Sequence, residues 1–126
     1  AAMFIRRRDF EAVGGFDPKI FLYHEDDDLS LRLEAERGPL MFIRDAAVRH
    51  IGGSSTARSP ESAAFKAWHM GRSRVYAGRK HGQPTGLVSA ALELLSPATL
   101  FSARYRAKKW AFFRGMINAL RDEAPS

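Results

Sequence analysis

Tyr23-His24-Glu25-Asp26-Asp27-Asp28-Leu29-Ser30-Leu31-Arg32 sets four consecutive acids at the head of a run of good helix formers. Crowded carboxylates repel one another and raise the pKa of at least one member, so such a cluster persists where a helix N-terminus, a cation or a proton-transfer task makes use of it. All three uses suit this stretch. The pattern predicts a helix from Asp28 to about Arg37, its acids at the N-cap and first turn, where unbonded N–H groups and the helix dipole favour negative charge. Asp28 and Arg32 stand as i,i+4 partners. Taken alone, the acids read equally as a solvated, well-capped helix start.

The chain around this stretch has 126 residues, enough for one domain with a core, and its 45% hydrophobic content is that of a globular protein. It has no cysteine, which excludes disulfides and thiolate metal sites and is compatible with a reducing compartment. No apolar run approaches the ~20 residues of a membrane-spanning helix, and the first residues lack a signal-peptide pattern. With 20 Lys and Arg against 14 Asp and Glu the formal charge is +6, which favours polyanionic partners. The acids cluster in the first half and the bases in the second.

Upstream of the acids, Ala1 to Ile5 reads as a strand entered midway. Arg6-Arg7-Arg8 leads into a short helix over Asp9–Val13, and Gly14 stands where a left-handed C′ residue belongs, followed by Gly15. Phe16-Asp17-Pro18 is a turn. Downstream, Gly38-Pro39 ends the acid-led helix. Leu40–Ile43 and Ala46–Ile51 are strand candidates separated by a turn at Asp45, and the second delivers His50 to the loop Gly52-Gly53-Ser54-Ser55-Thr56. Ser59-Pro60-Glu61 opens a helix to about Lys80, stopped by Gly82 and Pro84. A short apolar helix spans Gly86 to Leu95. Ser96-Pro97 repeats the start signal for a last helix to about Asp122, where Phe113, Met116, Ile117 and Leu120 form an apolar stripe and Arg104, Arg106, Lys108, Lys109 and Arg114 lie among Tyr105, Trp110 and Phe112.

The ordered set Arg7-Arg8 with Phe10, Val13-Gly14-Gly15-Phe16-Asp17, Phe21 with Tyr23, Glu25-Asp26-x-Asp28-Leu29-x-x-Arg32, Gly38, and Val48-x-His50-x-x-Gly53-x-Ser55 resembles the second half of the catalytic domain of inverting family 2 glycosyltransferases, closest to bacterial rhamnosyltransferase-like members. The likeness is dense over roughly the first 55 residues and thin beyond, where Tyr76 and Lys80-His81 near a helix end carry it.

That resemblance implies an α/β fold: the C-terminal portion of a GT-A domain with a small mixed sheet, followed by α-helices. It divides the chain into an acceptor and catalytic-base half over 1–58 and a helical extension over 59–126. The nucleotide-binding half has no counterpart here, because no Asp-x-Asp after an apolar strand and no alternating strand and helix run precede Gly14. The chain is therefore expected to be a fragment, inactive alone.

For the complete enzyme the resemblance implies direct displacement at the anomeric carbon of a nucleotide-diphosphate sugar. The attacking hydroxyl of a glycan or lipid-linked acceptor, as in polysaccharide biosynthesis, loses its proton to a general base. Asp26 matches the family's base, with Glu25 beside it as the second choice. Asp28, Arg32, Gly14, Gly15, Phe16, Asp17 and Tyr23 match acceptor-contacting or supporting positions. His50 matches a downstream ligand of the Mg²⁺ or Mn²⁺ that neutralises the departing diphosphate; Asp45 departs from the proline common nearby. The expected location is cytoplasmic, or peripheral on the inner face of the cell membrane.

Two other classes compete. The basic, aromatic last helix suits a nucleic-acid module, but zinc ligands, RNP-like strands and helix-turn-helix spacing are all missing. The same helix suits an anionic membrane surface, with Trp110, Phe112 and Phe113 directed into the lipid, or alternatively the core of the domain.

Overall fold

The computed structural model describes residues 2–49 and 59–122, and among these the regular structure is entirely helical. Six helices follow in order: α1 (Arg7–Ala12), α2 (Glu25–Arg37), α3 (Pro60–Lys80), α4 (Leu87–Leu94), α5 (Pro97–Phe101) and α6 (Ala103–Asp122).

The small mixed sheet expected from the resemblance is absent among the described residues. A strand exists through laddered hydrogen bonds to a neighbour, and the apolar segments 2–5, 40–43 and 46–49 form none; the backbone between the last two closes only a turn, Ala46 N–H to the Ile43 carbonyl at 3.3 Å. Leu40, Met41, Phe42 and Ile43 are consequently 50%, 86%, 93% and 63% exposed. Apolar content specified burial for these segments but did not supply the partner strand. Ala1, His50 and Ile51 lie outside the described residues.

The first helical unit is α1 against α2. Helix α1 ends in a Schellman motif, the Gly14 N–H bonding Glu11 O at 3.1 Å and the Gly15 N–H bonding Phe10 O at 2.9 Å. Both glycines hold positive φ, +79° and +69°. A side chain at Gly15 would also meet the Phe10 ring at 3.2 Å. Helix α2 begins at Glu25, three residues before the expected Asp28, with His24 as its N-cap, so all four acids occupy the first turn. Leu29 and Leu33 face inward and pack with Val13, flanked by Ile5 and Phe10. Arg37 at the far end reaches Asp9 Oδ1 with Nε at 3.0 Å and a terminal nitrogen at 2.8 Å, holding α1 to α2.

The second unit is α3 against α6. Ser59 and Ser62 form a reciprocal capping box, and Pro60 occupies the first turn of α3. The two long helices run in the same direction: Ala63 and Ala64 lie beside Ala103 and Arg104, while Arg72 reaches Asn118 and Asp122. They cross almost backbone to backbone. A Cβ placed on Gly71 would meet the Phe112 carbonyl oxygen at 2.1 Å, and one on Gly115 the Trp68 carbonyl oxygen at 2.0 Å. Val75, Ala90, Met116 and Ala119 form the core there, with Leu87, Phe112, Phe113 and Leu120 against it. The apolar stripe of the last helix is thus core, and Phe112 and Phe113 are not directed outward. The expected single helix from Ser96 to Asp122 is two, because Ser102 is extended at φ −121° and ψ 113° and separates α5 from α6. Between α3 and α6, helices α4 and α5 return the chain, the second capped by Ser96, whose side chain accepts from the Thr99 N–H.

Candidate functional site

The two units meet through polar side chains, and Asp28 is their centre. It is 1% exposed. Its Oδ2 accepts from Arg32 Nε at 3.0 Å and from a terminal Arg32 nitrogen at 2.7 Å, while Oδ1 accepts from His81 Nε2 at 2.7 Å and lies 2.8 Å from Lys80 Nζ. Lys80 also donates to Asp17 Oδ2 at 2.6 Å, where the Tyr76 hydroxyl arrives at 3.2 Å. The i,i+4 spacing of Tyr76 and Lys80 on α3 places both over Asp17. Burial disfavours the charged forms of Asp17 and Asp28, but hydrogen bonds from the surrounding cations outweigh it and hold both carboxyls below their ordinary value. Burial likewise acts to lower the Lys80 pKa, and its bonds to Asp17 and Asp28 reverse this and raise it.

Arg32 extends the network into the glycine turn, donating to the Val13 carbonyl at 2.5 Å and the Gly15 carbonyl at 2.7 Å. The positive φ values of Gly14 and Gly15 make this possible, by folding the chain back over the end of α1. Asp17 then closes an Asx turn, its Oδ1 accepting the Lys19 N–H at 3.0 Å. Phe16 seals the outside, edge-on to Phe10 with ring centroids 5.4 Å apart.

The remaining acids face a different environment. Tyr23 and His24 both adopt left-handed backbone, at φ 64° and 67°, which costs a non-glycine residue roughly 1–3 kcal/mol and concentrates at functional sites. Asp26 is exposed, with Oδ1 accepting the Asp27 N–H at 3.0 Å, and Asp27 Oδ2 lies 3.2 Å from His24 Nδ1. Glu25 is half-buried, and its Oε2 is shielded from water with no hydrogen-bond partner among the described residues. A carboxylate oxygen in that condition is costly unless something comes to bind it.

Beside the Asp17 turn opens a cleft of about 530 Å³, whose walls include Lys19, Phe21, Trp68, His69, Arg72 and Tyr76. His69 is packed among three aromatic rings, Phe21, Phe65 and Trp68, at centroid distances of 4.7, 4.5 and 4.7 Å. Burial, helped by the nearby Arg72 charge, lowers its pKa. Arg72 lies over the Trp68 ring at 5.1 Å and pairs with Asp122 at 2.6 Å.

The structure therefore brings together Gly14, Gly15, Phe16, Asp17, Asp28 and Arg32 of the sequence-derived set. Glu25, Asp26 and Tyr23 lie at the entry to α2, and His50 falls outside the described residues. Lys80 and His81, which carried the family resemblance near the end of a helix without an assigned role, emerge as direct partners of Asp28. The aromatic setting of His69 had no signal beyond helical spacing. Among the described residues no three His, Asp or Glu side chains converge as metal ligands.

Over 62 residues, 49% of the chain, the sequence is 39% identical to the N-acetylglucosaminyl-diphospho-decaprenol L-rhamnosyltransferase of Mycobacterium tuberculosis, strain CDC 1551 / Oshkosh, and equally to that of strain ATCC 25618 / H37Rv. The match spans 20% of the length of those enzymes, so the relationship is glycosyltransferase-like and partial. No family model matches the chain. No solved structure matches it either.

Proposed function

We propose that this chain supplies the acceptor-activating part of an inverting glycosyltransferase, which moves a sugar from a nucleotide-diphosphate donor to a hydroxyl of a lipid-linked saccharide. The observation that carries this reading is the division of labour within one acid cluster. Asp28 is bound by Arg32, Lys80 and His81 and is structural, whereas Asp26 is exposed and Glu25 keeps a shielded oxygen with no hydrogen-bond partner among the described residues. The partial identity to a rhamnosyltransferase supports the reaction class.

An acceptor hydroxyl has a pKa far above neutrality, so its proton must leave as its oxygen attacks the anomeric carbon and the bond to the nucleotide diphosphate breaks. Asp26 takes that proton. One of its oxygens is committed to the Asp27 N–H, which orients the carboxylate and leaves the other for the acceptor. Glu25 accepts a second acceptor hydroxyl at its free oxygen. The aromatic cleft along α3 offers Phe21, Trp68 and Tyr76 to the apolar faces of sugar rings and Lys19 and Arg72 to their hydroxyls. His50 belongs to the same proposal as a ligand of the Mg²⁺ or Mn²⁺ that would neutralise the departing diphosphate.

The test is Asp26→Asn in the whole protein, which keeps size and removes the proton acceptor. It should lower kcat by about 10²–10⁴ with donor binding unchanged. Full activity in this variant, together with loss in Glu25→Gln, would move the base to Glu25; full activity in both would end the assignment.

A further inference from the structure

Among the described residues, α4 and α5 carry an apolar surface that the α3–α6 core leaves uncovered. On α4, Leu87 and Ala90 face the core, yet Val88, Leu92 and Leu95 follow one another at i, i+4 and i+7 on another side of the helix and are 74%, 63% and 70% exposed. Helix α5 adds Leu100 and Phe101, 53% and 90% exposed. A soluble helix normally turns its polar residues outward, and an apolar ridge of this kind marks an interaction surface.

The charge beside the ridge identifies what it meets. From residue 97 to residue 121 the sequence holds six Arg or Lys and no Asp or Glu. The one acid on α4, Glu93, is already paired with Lys109. Arg106 is anchored at the end of α5, donating to the Leu100 carbonyl at 3.1 Å, while Arg104 and Lys108 extend into solvent one turn apart on α6. Exposed apolar side chains on α4 and α5, followed directly by exposed bases at the start of α6, suit the boundary of an anionic bilayer, where the former enter the acyl region and the latter meet phosphate.

We infer that the exposed ridge of α4 and α5, with the basic start of α6, docks the protein on the surface of an anionic membrane. The attachment is interfacial, since no described helix is long and apolar enough to cross a bilayer. Of the two sequence alternatives for Phe112 and Phe113, lipid or core, the structure has them against the core, while Trp110 is half exposed. Sugar transfer is not assumed, because the test reads partitioning rather than turnover.

The whole protein should co-sediment with vesicles of phosphatidylcholine mixed with phosphatidylglycerol, and much less with phosphatidylcholine alone. Each base near the surface contributes about fivefold, so Arg104→Gln with Lys108→Gln should weaken partitioning about 25-fold. Added salt should weaken it further. Phe101→Ser should reduce it about tenfold or more through lost burial, with an unchanged melting temperature because that ring touches little of the fold. Equal partitioning onto neutral and anionic vesicles, or none, overturns the inference. So does a Phe101→Ser variant that melts several degrees lower, which would show the ridge covered by the protein itself, or one that abolishes a dimer without any vesicle binding, which would assign the ridge to a second copy.

Discussion

Replacing Asp28 with Asn tests whether the two helical units are held together by charge. The side chain keeps its shape, but one oxygen becomes a donor and the negative charge disappears, while Arg32, Lys80 and His81 still converge on the site. Removing one partner of a buried ion pair costs about 3–5 kcal/mol, because the other charge is left desolvated and unpaired. The lower end applies here: Lys80 retains Asp17 at 2.6 Å, and Arg32 retains the Val13 and Gly15 carbonyls. A loss of about 3 kcal/mol is a large share of the ~5–15 kcal/mol that stabilises a domain of this size. Urea unfolding should show it as a lower midpoint. If slope and midpoint both fall, the units have begun to separate before the global transition. In a double-mutant cycle, adding Lys80→Met to Asp28→Asn should cost less than Lys80→Met alone, since the cation then leaves a site already lacking its anion. A midpoint within about 0.5 kcal/mol of the parent protein would refute the reasoning, because surface substitutions stay in that range.

Gly115→Ala should destabilise the protein by about 1–3 kcal/mol despite alanine's better helix propensity, since the added methyl strikes the Trp68 carbonyl and forces α3 and α6 apart; a raised melting temperature would show that the helices cross elsewhere. Stability should also depend on pH at both extremes. The depressed carboxyls of Asp17 and Asp28 contribute stability that is present above their ordinary value of 3.8 and is lost as pH falls through their lower folded values, whereas the raised Lys80 contributes stability that is present below 10.5 and is lost as pH rises past its folded value. Denaturant midpoints measured across pH check both limbs, and a flat acid limb in the parent protein, or one equally steep in Asp28→Asn, would reject the network as their source.

Local signals in the sequence placed several local features and missed two, the start of α2 at Glu25 and the break at Ser102. The Ser59-Pro60 start, the Gly14-Gly15 stop and the apolar stripe of the last helix all depend on backbone groups and side chains within a few residues, and each stands where its chemistry places it. The Asp28–Arg32 pair was legible for the same reason. Tertiary structure decided everything that needs a partner distant in the chain. The strand expected over Leu40–Ile43 had the right composition, yet composition cannot provide a neighbouring strand, and the segment joins no ladder and is exposed. The resemblance set Asp28 among acceptor-contacting or supporting positions without saying what would hold it: that depends on Lys80 and His81 arriving from the far end of α3, more than fifty residues away, and among the described contacts they reach Asp28 alone of the four. The close crossing at Gly71 and Gly115 is of the same kind. In sequence each is a glycine that weakens a helix, and only the opposing carbonyl, 2.0–2.1 Å from the missing Cβ, explains why no larger side chain fits.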